Sequence, residues 1–192
     1  MNEEIIGKAL DYVRELFRTN AGGHDADHTL RVYRNTLLIA KEEPDCDLQV
    51  AALAALLHDA DDHKLFHTEN NANARAFLEA NGLSPERIER ICEAINSVSF
   101  SRNKGKRPCT PEGRVVQDAD RLDAMGAIGV ARAFAYGGEH GRPMSETVLH
   151  FHDKLLRLRD LMNTEAGRRI AERRHSFLER FLEEYYEETS GV

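Results

Sequence analysis

Apolar positions recur at steps of three and four almost from the start of the chain. Ile5, Ile6, Ala9, Leu10, Val13, Leu16 and Phe17 form one stripe, which predicts an amphipathic helix. Leu30, Tyr33, Leu37 and Ala40, with Val32 alongside, predict a second, ending near Pro44. Residues 48–60 (LQVAALAALLHDA) are apolar nearly all round, so that helix belongs at the centre of a core. Residues 70–81 predict another, stopped by Asn81-Gly82. Ser84 followed by Pro85 reads as a cap and first helical position, opening a helix that runs to about Val98. Residues 99–113, with Pro108 and Pro111, predict a loop. Helical spacing returns over 114–136, stops over a short loop at 137–143, and resumes over about 145–162 and 164–187. No alternating strand pattern occurs. The expectation is an all-α fold, a single domain over residues 1–192 with about eight helices.

Composition adds limits. At 192 residues the chain is long enough to bury a core without staples, and 41% hydrophobic with 31% charged residues is ordinary for a globular protein. None of the apolar runs reaches the roughly 18 residues of a membrane span. The opening MNEEIIGKALDYV is acidic and amphipathic, unlike a secretory leader, so the expected location is the cytoplasm. Basic residues number 26 and acidic ones 33, a net charge of −7, which argues against bulk nucleic-acid binding but not against a small phosphorylated ligand. Cys46, Cys92 and Cys109 are odd in number and widely spaced. They read as small buried or half-buried thiols rather than a disulfide framework or a zinc site. Apolar helix faces in excess of the core's needs leave room for a homodimer.

Three stretches collect polar groups that a core should reject: HDADH at 24–28, HDADDHK at 58–64 and QDADRLD at 117–123. The second is the most informative. The continuous apolar run 51–57 ends abruptly in His58-Asp59. A histidine and a carboxylate at the end of a buried helix must be paired or must bind a metal, because burying an uncompensated charge is costly. Asp118, Asp120 and Asp123 repel one another unless a cation intervenes, and Arg121 offsets only part of that. Each acid also has a structural reading. Asp25 and Asp27 suit a helix cap, His24 a solvated helix entrance, and Asp118 and Asp123 an exposed face. The weight lies in their joint occurrence.

His28, then His58-Asp59 at the end of an apolar helix, then Asp120 within Ala-Asp-Arg-Leu, resembles the H…HD…D pattern of the HD-domain metal-dependent phosphohydrolases. The resemblance spans residues 20–135 as an HD-type core, leaving 136–192 as a C-terminal helical extension. The string VVQDADRLDAMGAIGVARAF looks like a bacterial subgroup of small, stand-alone members. The family's helical core agrees with the periodicity.

The resemblance implies that His28, His58, Asp59 and Asp120 are the four metal ligands. Two neutral imidazoles and two carboxylates balance one divalent cation. Nitrogen and oxygen ligation suits Mn, Fe, Co, Ni, Zn or Mg, with manganese favoured here. The lack of histidine between His67 and His140 favours one ion over two. Asp62, four residues after His58, stands where related hydrolases commonly carry a proton-transferring Glu. It reads equally as a solvated residue beyond the helix. Arg31, Lys64, Arg102 and Lys104 are the candidate phosphate-binding cations. The basic segment 101–107 is either a lip for a polyanion or a solvated loop. Arg121 reads as an acid's ion-pair partner before a phosphate ligand. His150 and His152, two apart on a helix, chelate poorly together, and the arginine-rich last helix reads as a solvated face.

The expected activity is thus hydrolysis of a phosphoester or phosphoanhydride of a nucleotide, with water activated by the ion. The subgroup resemblance points to (deoxy)nucleoside triphosphates with release of pyrophosphate. The alternative is a catalytically inactive metal- and nucleotide-binding regulator, and a third is a helical interaction protein without metal.

Overall fold

The computed structural model describes residues 2–18, 25–63, 65–99, 103 and 106–190. Among these the chain is all-helical: α1 (Glu3–Leu16), α2 (Ala26–Ala40), α3 (Leu48–Leu57), α4 (Ala72–Ala80), α5 (Pro85–Val98), α6 (Pro111–Asp123), α7 (Gly126–Glu139), α8 (Met144–Asp153), a 3-10 helix (Leu155–Leu161) and α9 (Glu165–Thr189). Residues 1–120 and 121–192 form two compact units.

In the first unit α3 is the centre. Every side chain from Val50 to Leu57 is fully buried, and α1, α2 and α5 pack around it. This follows from a segment with no polar face to turn outward. Caps set the helix starts. Asp47 accepts from the amides of Gln49 and Val50, Asp25 from that of His28, and Ser84 from that of Arg87 behind Pro85. Helix α4 stops at the expected place, where Gly82 takes φ +74° and the Leu83 amide bonds back to the Leu78 carbonyl. Helix α6 starts at Pro111, three residues earlier than the spacing implies. Thr110 supplies the cap through its Oγ1, which accepts from the Gly113 amide, and Pro111 fits a first helical position that needs no N–H. The three cysteines are free: Cys46 is half-buried and Cys92 buried, but Cys109 is exposed, contrary to expectation.

In the second unit α7 and the 3-10 helix pack on α9, and α8 packs on both α7 and the 3-10 helix. Phe134, Phe151 and Phe181 meet at ring separations of 5.7–5.9 Å. The single helix expected over 114–136 is two helices. Ala124 and Met125 close tight i→i−3 turns, and Gly126 takes φ +67° with Arg174 packed where a Cβ would stand. The helix expected over 145–162 also divides. Lys154 leaves the helical region, and Leu155 and Leu158, three apart, bury one face of the 3-10 turn. No helix of the described residues is long and apolar enough to cross a membrane.

Candidate functional site

Three chain segments bring ligand-type atoms together. His28 lies buried in the first turn of α2, where the Asp25 cap accepts from its own amide at 2.6 Å. His58 terminates α3, and its Nδ1 lies 2.8 Å from the Ala55 carbonyl. That contact suits an Nδ1–H donor and leaves Nε2 facing the cluster. Asp59 follows in the turn, and Asp120 comes from the last turn of α6.

The two Nε2 atoms stand 3.3 Å apart. Asp59 Oδ2 is 3.5 Å from His28 Nε2 and 3.3 Å from His58 Nε2. Asp120 Oδ1 is 3.5 and 3.9 Å from the same two nitrogens. The ligand atoms of His28, His58 and Asp120 all lie within 4.8 Å of one another, so these residues could hold a metal ion. An ion with ligands at about 2.0–2.2 Å sets neighbouring ligands roughly 3.0–3.6 Å apart, which fits every one of these separations except the 3.9 Å between His58 and Asp120. Lone pairs that converge like this repel unless a cation or a proton lies between them. The charge balance says the same. Burial by itself pushes the His58 imidazole down, but the charge and hydrogen bond of Asp59, the charge of Asp120 and the Ala55 carbonyl together hold it up to about 9. The pocket demands positive charge.

The chain segment after His58 differs from expectation. Helix α3 ends at Leu57, and residues 58–61 are turns, so Asp62 does not share a helix face with His58. Asp62 is half-buried, its amide bonded to the Asp59 carbonyl and its own carbonyl accepting from Leu65 and Phe66. Asp61 is engaged elsewhere: its carboxylate accepts from the amides of Asn73 and Ala74 at 2.9 and 3.0 Å, and Asn73 Nδ2 donates back to the Ala60 carbonyl. The turn bearing the histidine and its neighbouring acid is thereby tied to the start of α4.

Of the three acids in QDADRLD, only Asp120 joins the cluster. Asp118 is fully buried, and Asp123 pairs with Arg132, so a shared cation is not what reconciles the three. Arg121 donates to the Leu161 carbonyl. Arg31 is half-buried on α2, one turn past His28. Lys64, Arg102, Lys104 and His24 lie outside the described residues. His152 meets the Tyr186 hydroxyl at 3.0 Å, so it and His150 form no chelate.

Two residues of the site region escaped the sequence reading. Asn35 is buried and its Nδ2 donates to the Ala119 carbonyl at 3.2 Å, beside Asp120. Its signal was present: a polar residue on the same face as His28, Val32 and Ile39. Asp61 had none, because it caps a helix more than ten residues downstream.

The HD domain model matches residues 25–125, from the cap of α2 to just past α6. The chain belongs to the HD-domain family. YpgQ of Bacillus subtilis is 37% identical over 94% of this chain and 92% of its own length. The crystal structure of B. subtilis YpgQ in complex with ADP superposes with a TM-score of 0.85 at 33% identity, covering 98% of this chain and 97% of that one. An HD-superfamily hydrolase of Bacillus thuringiensis superposes with a TM-score of 0.82 at 34% identity over the full length of both. The present HD-domain chain therefore has the fold of the HD-superfamily hydrolases.

Proposed function

We propose that this HD-domain protein is a metal-dependent phosphohydrolase that cleaves a phosphoester or phosphoanhydride of a nucleotide. The observation that carries this reading is that Asp59 Oδ2 and Asp120 Oδ1 each stand 3.3–3.9 Å from both His28 Nε2 and His58 Nε2, which are themselves 3.3 Å apart. The ADP complex of YpgQ supports a nucleotide as the ligand. Within that class a (deoxy)nucleoside triphosphate, cleaved with release of pyrophosphate, is the substrate we put first, and manganese the metal.

A divalent ion supplies, when bound, a Lewis acid that lowers the pKa of water and polarises a phosphoryl oxygen. The chain's own part is orientation and charge. The Ala55 carbonyl fixes the His58 ring, so that Nε2 faces inward. His28, His58 and Asp59 are the deeply buried ligands, and Asp120 is the one that reaches the solvent side. Arg31, one turn past His28 on α2, is the cation we put first for binding phosphate, followed by Lys64, Arg102 and Lys104. Asp62 is the proton-transfer group. A chain that binds nucleotide without turnover is the second reading.

The test is metal analysis of protein purified without chelator, together with a nucleotide panel in Mn²⁺ or Mg²⁺ read for phosphate and for pyrophosphate. Turnover of one nucleotide class is expected, and Asp59→Ala or His58→Ala should abolish both metal uptake and turnover. Tight nucleotide binding without product would leave the regulatory reading. Full turnover by metal-free Asp59→Ala would overturn the mechanism.

A further inference from the structure

The four ligand positions are not held equally well. The side chains of His28 and His58 are 3% exposed and that of Asp59 is 9% exposed, whereas that of Asp120 is 29% exposed. Packing therefore immobilises the first three. Asp120 sits on a helix that ends three residues later at Asp123, in the turn where intrahelical bonds run out. Its position needs an anchor from outside its own helix.

Asn35 provides one. It lies seven residues beyond His28 on α2, two helical turns along the same face. Asn35 is 5% exposed as a residue, and its Nδ2 donates to the Ala119 carbonyl. Ala119 is fully buried and directly precedes Asp120. The carbonyl oxygen has two lone pairs, so it can accept this bond in addition to one within α6. One rigid helix thus carries a ligand at its start and clamps the backbone of the opposite ligand two turns further on. We infer that Asn35 is a positioning residue, which sets the distance between Asp120 and His28 and so tunes the affinity for the ion. This rests on Asp120 serving as a ligand, as proposed above.

The mechanism is distinct from ordinary core stability. A buried amide lost from α2 would destabilise the unit whether or not it positions anything. A positioning role additionally predicts that the metal site loosens while the fold persists. Loss of a partner that orients a ligand typically weakens metal binding about 10–100-fold.

The experiment is calorimetric titration of Mn²⁺ into ion-free full-length protein. Wild type, Asn35→Ala, Asp59→Ala and Val50→Ala are compared, with circular dichroism and urea melts on each. Val50 is fully buried in the first turn of α3, with no polar link to the cluster, and reports what destabilisation alone does. The expected result is a roughly tenfold or greater loss of Mn²⁺ affinity in Asn35→Ala and none in Val50→Ala. The visible absorption of bound Co²⁺ should also change in Asn35→Ala, because it reads ligand geometry. If Asn35→Ala does not fold, Asn35→Ser replaces it in the same comparison. Wild-type affinity and an unchanged Co²⁺ spectrum in a folded Asn35 variant overturn the inference. Failure of the underlying reading looks different: wild type takes up no ion, or Asp59→Ala binds as tightly as wild type.

Discussion

Cys46 sits beside the Asp47 cap at the head of α3. Burial, followed by the charges of Glu112, Asp47 and Glu43, pushes its thiol up to about 12. The neutral form is the one the fold favours. Its contribution to stability is therefore complete below the ordinary thiol value of 9.0 and is lost as pH rises towards 12. Cys92 is buried and is likewise raised by desolvation, whereas Cys109 is exposed. Since the thiolate is the reactive form, iodoacetamide at pH 8 should label Cys109 on the native protein, with Cys46 and Cys92 following only after unfolding. Peptide mass mapping checks this, and equal labelling of Cys46 and Cys109 in the native state would contradict it. At this scale the sequence was informative about residue type and weaker on environment. Asp118, Asp120 and Asp123 look alike in QDADRLD, yet Asp120 joins the two histidines, Asp123 pairs with Arg132, and Asp118 is fully buried.

Between residues and the molecule stand the helices and what holds their ends. Helix α4 begins after Asn70 and Asn71, both left-handed at φ 54° and 56°, and its own cap residue makes no side-chain bond to the helix's amides. Asp61 accepts its first amides instead. Replacing Asp61 by Ala leaves those donors unpaired and should cost about 1–2 kcal/mol of stability. Asp61→Asn, which keeps an acceptor, should cost less. Urea unfolding gives the comparison, and an unchanged midpoint in Asp61→Ala would remove the cap from the account. The helix starts at Asp25, Asp47 and Ser84 needed no tertiary knowledge, because those caps act on amides two or three residues ahead. The break at Gly126 was hidden, since one glycine among small residues barely disturbs the apolar period.

At the scale of the whole molecule, the His28, His58 and Asp120 cluster joins α2, the end of α3 and the end of α6 within the first unit. An ion that binds the folded chain and not the unfolded one adds about 2.7 kcal/mol when present at a hundred times its Kd. Thermal melts should therefore shift upward by several degrees when Mn²⁺ is added to chelator-treated protein, and Asp59→Ala should lose that shift. Equal melts with and without ion would remove metal from the stability of this fold. The sequence by itself determined the helical class, the central place of α3, most helix ends and the cost of burying the His58-Asp59 pair. These follow from local rules, in which spacing decides the buried face and a polar pair closing an apolar run marks itself as costly to bury. The tertiary structure alone decided that α3 ends at Leu57, leaving Asp62 off its face, that Asp120 and not its neighbours meets the two histidines, and that Asp61 and Asn35 are anchors. Those outcomes depend on how helices far apart in the chain pack against one another, and periodicity carries no information about which distant carbonyl or amide a buried polar side chain will find.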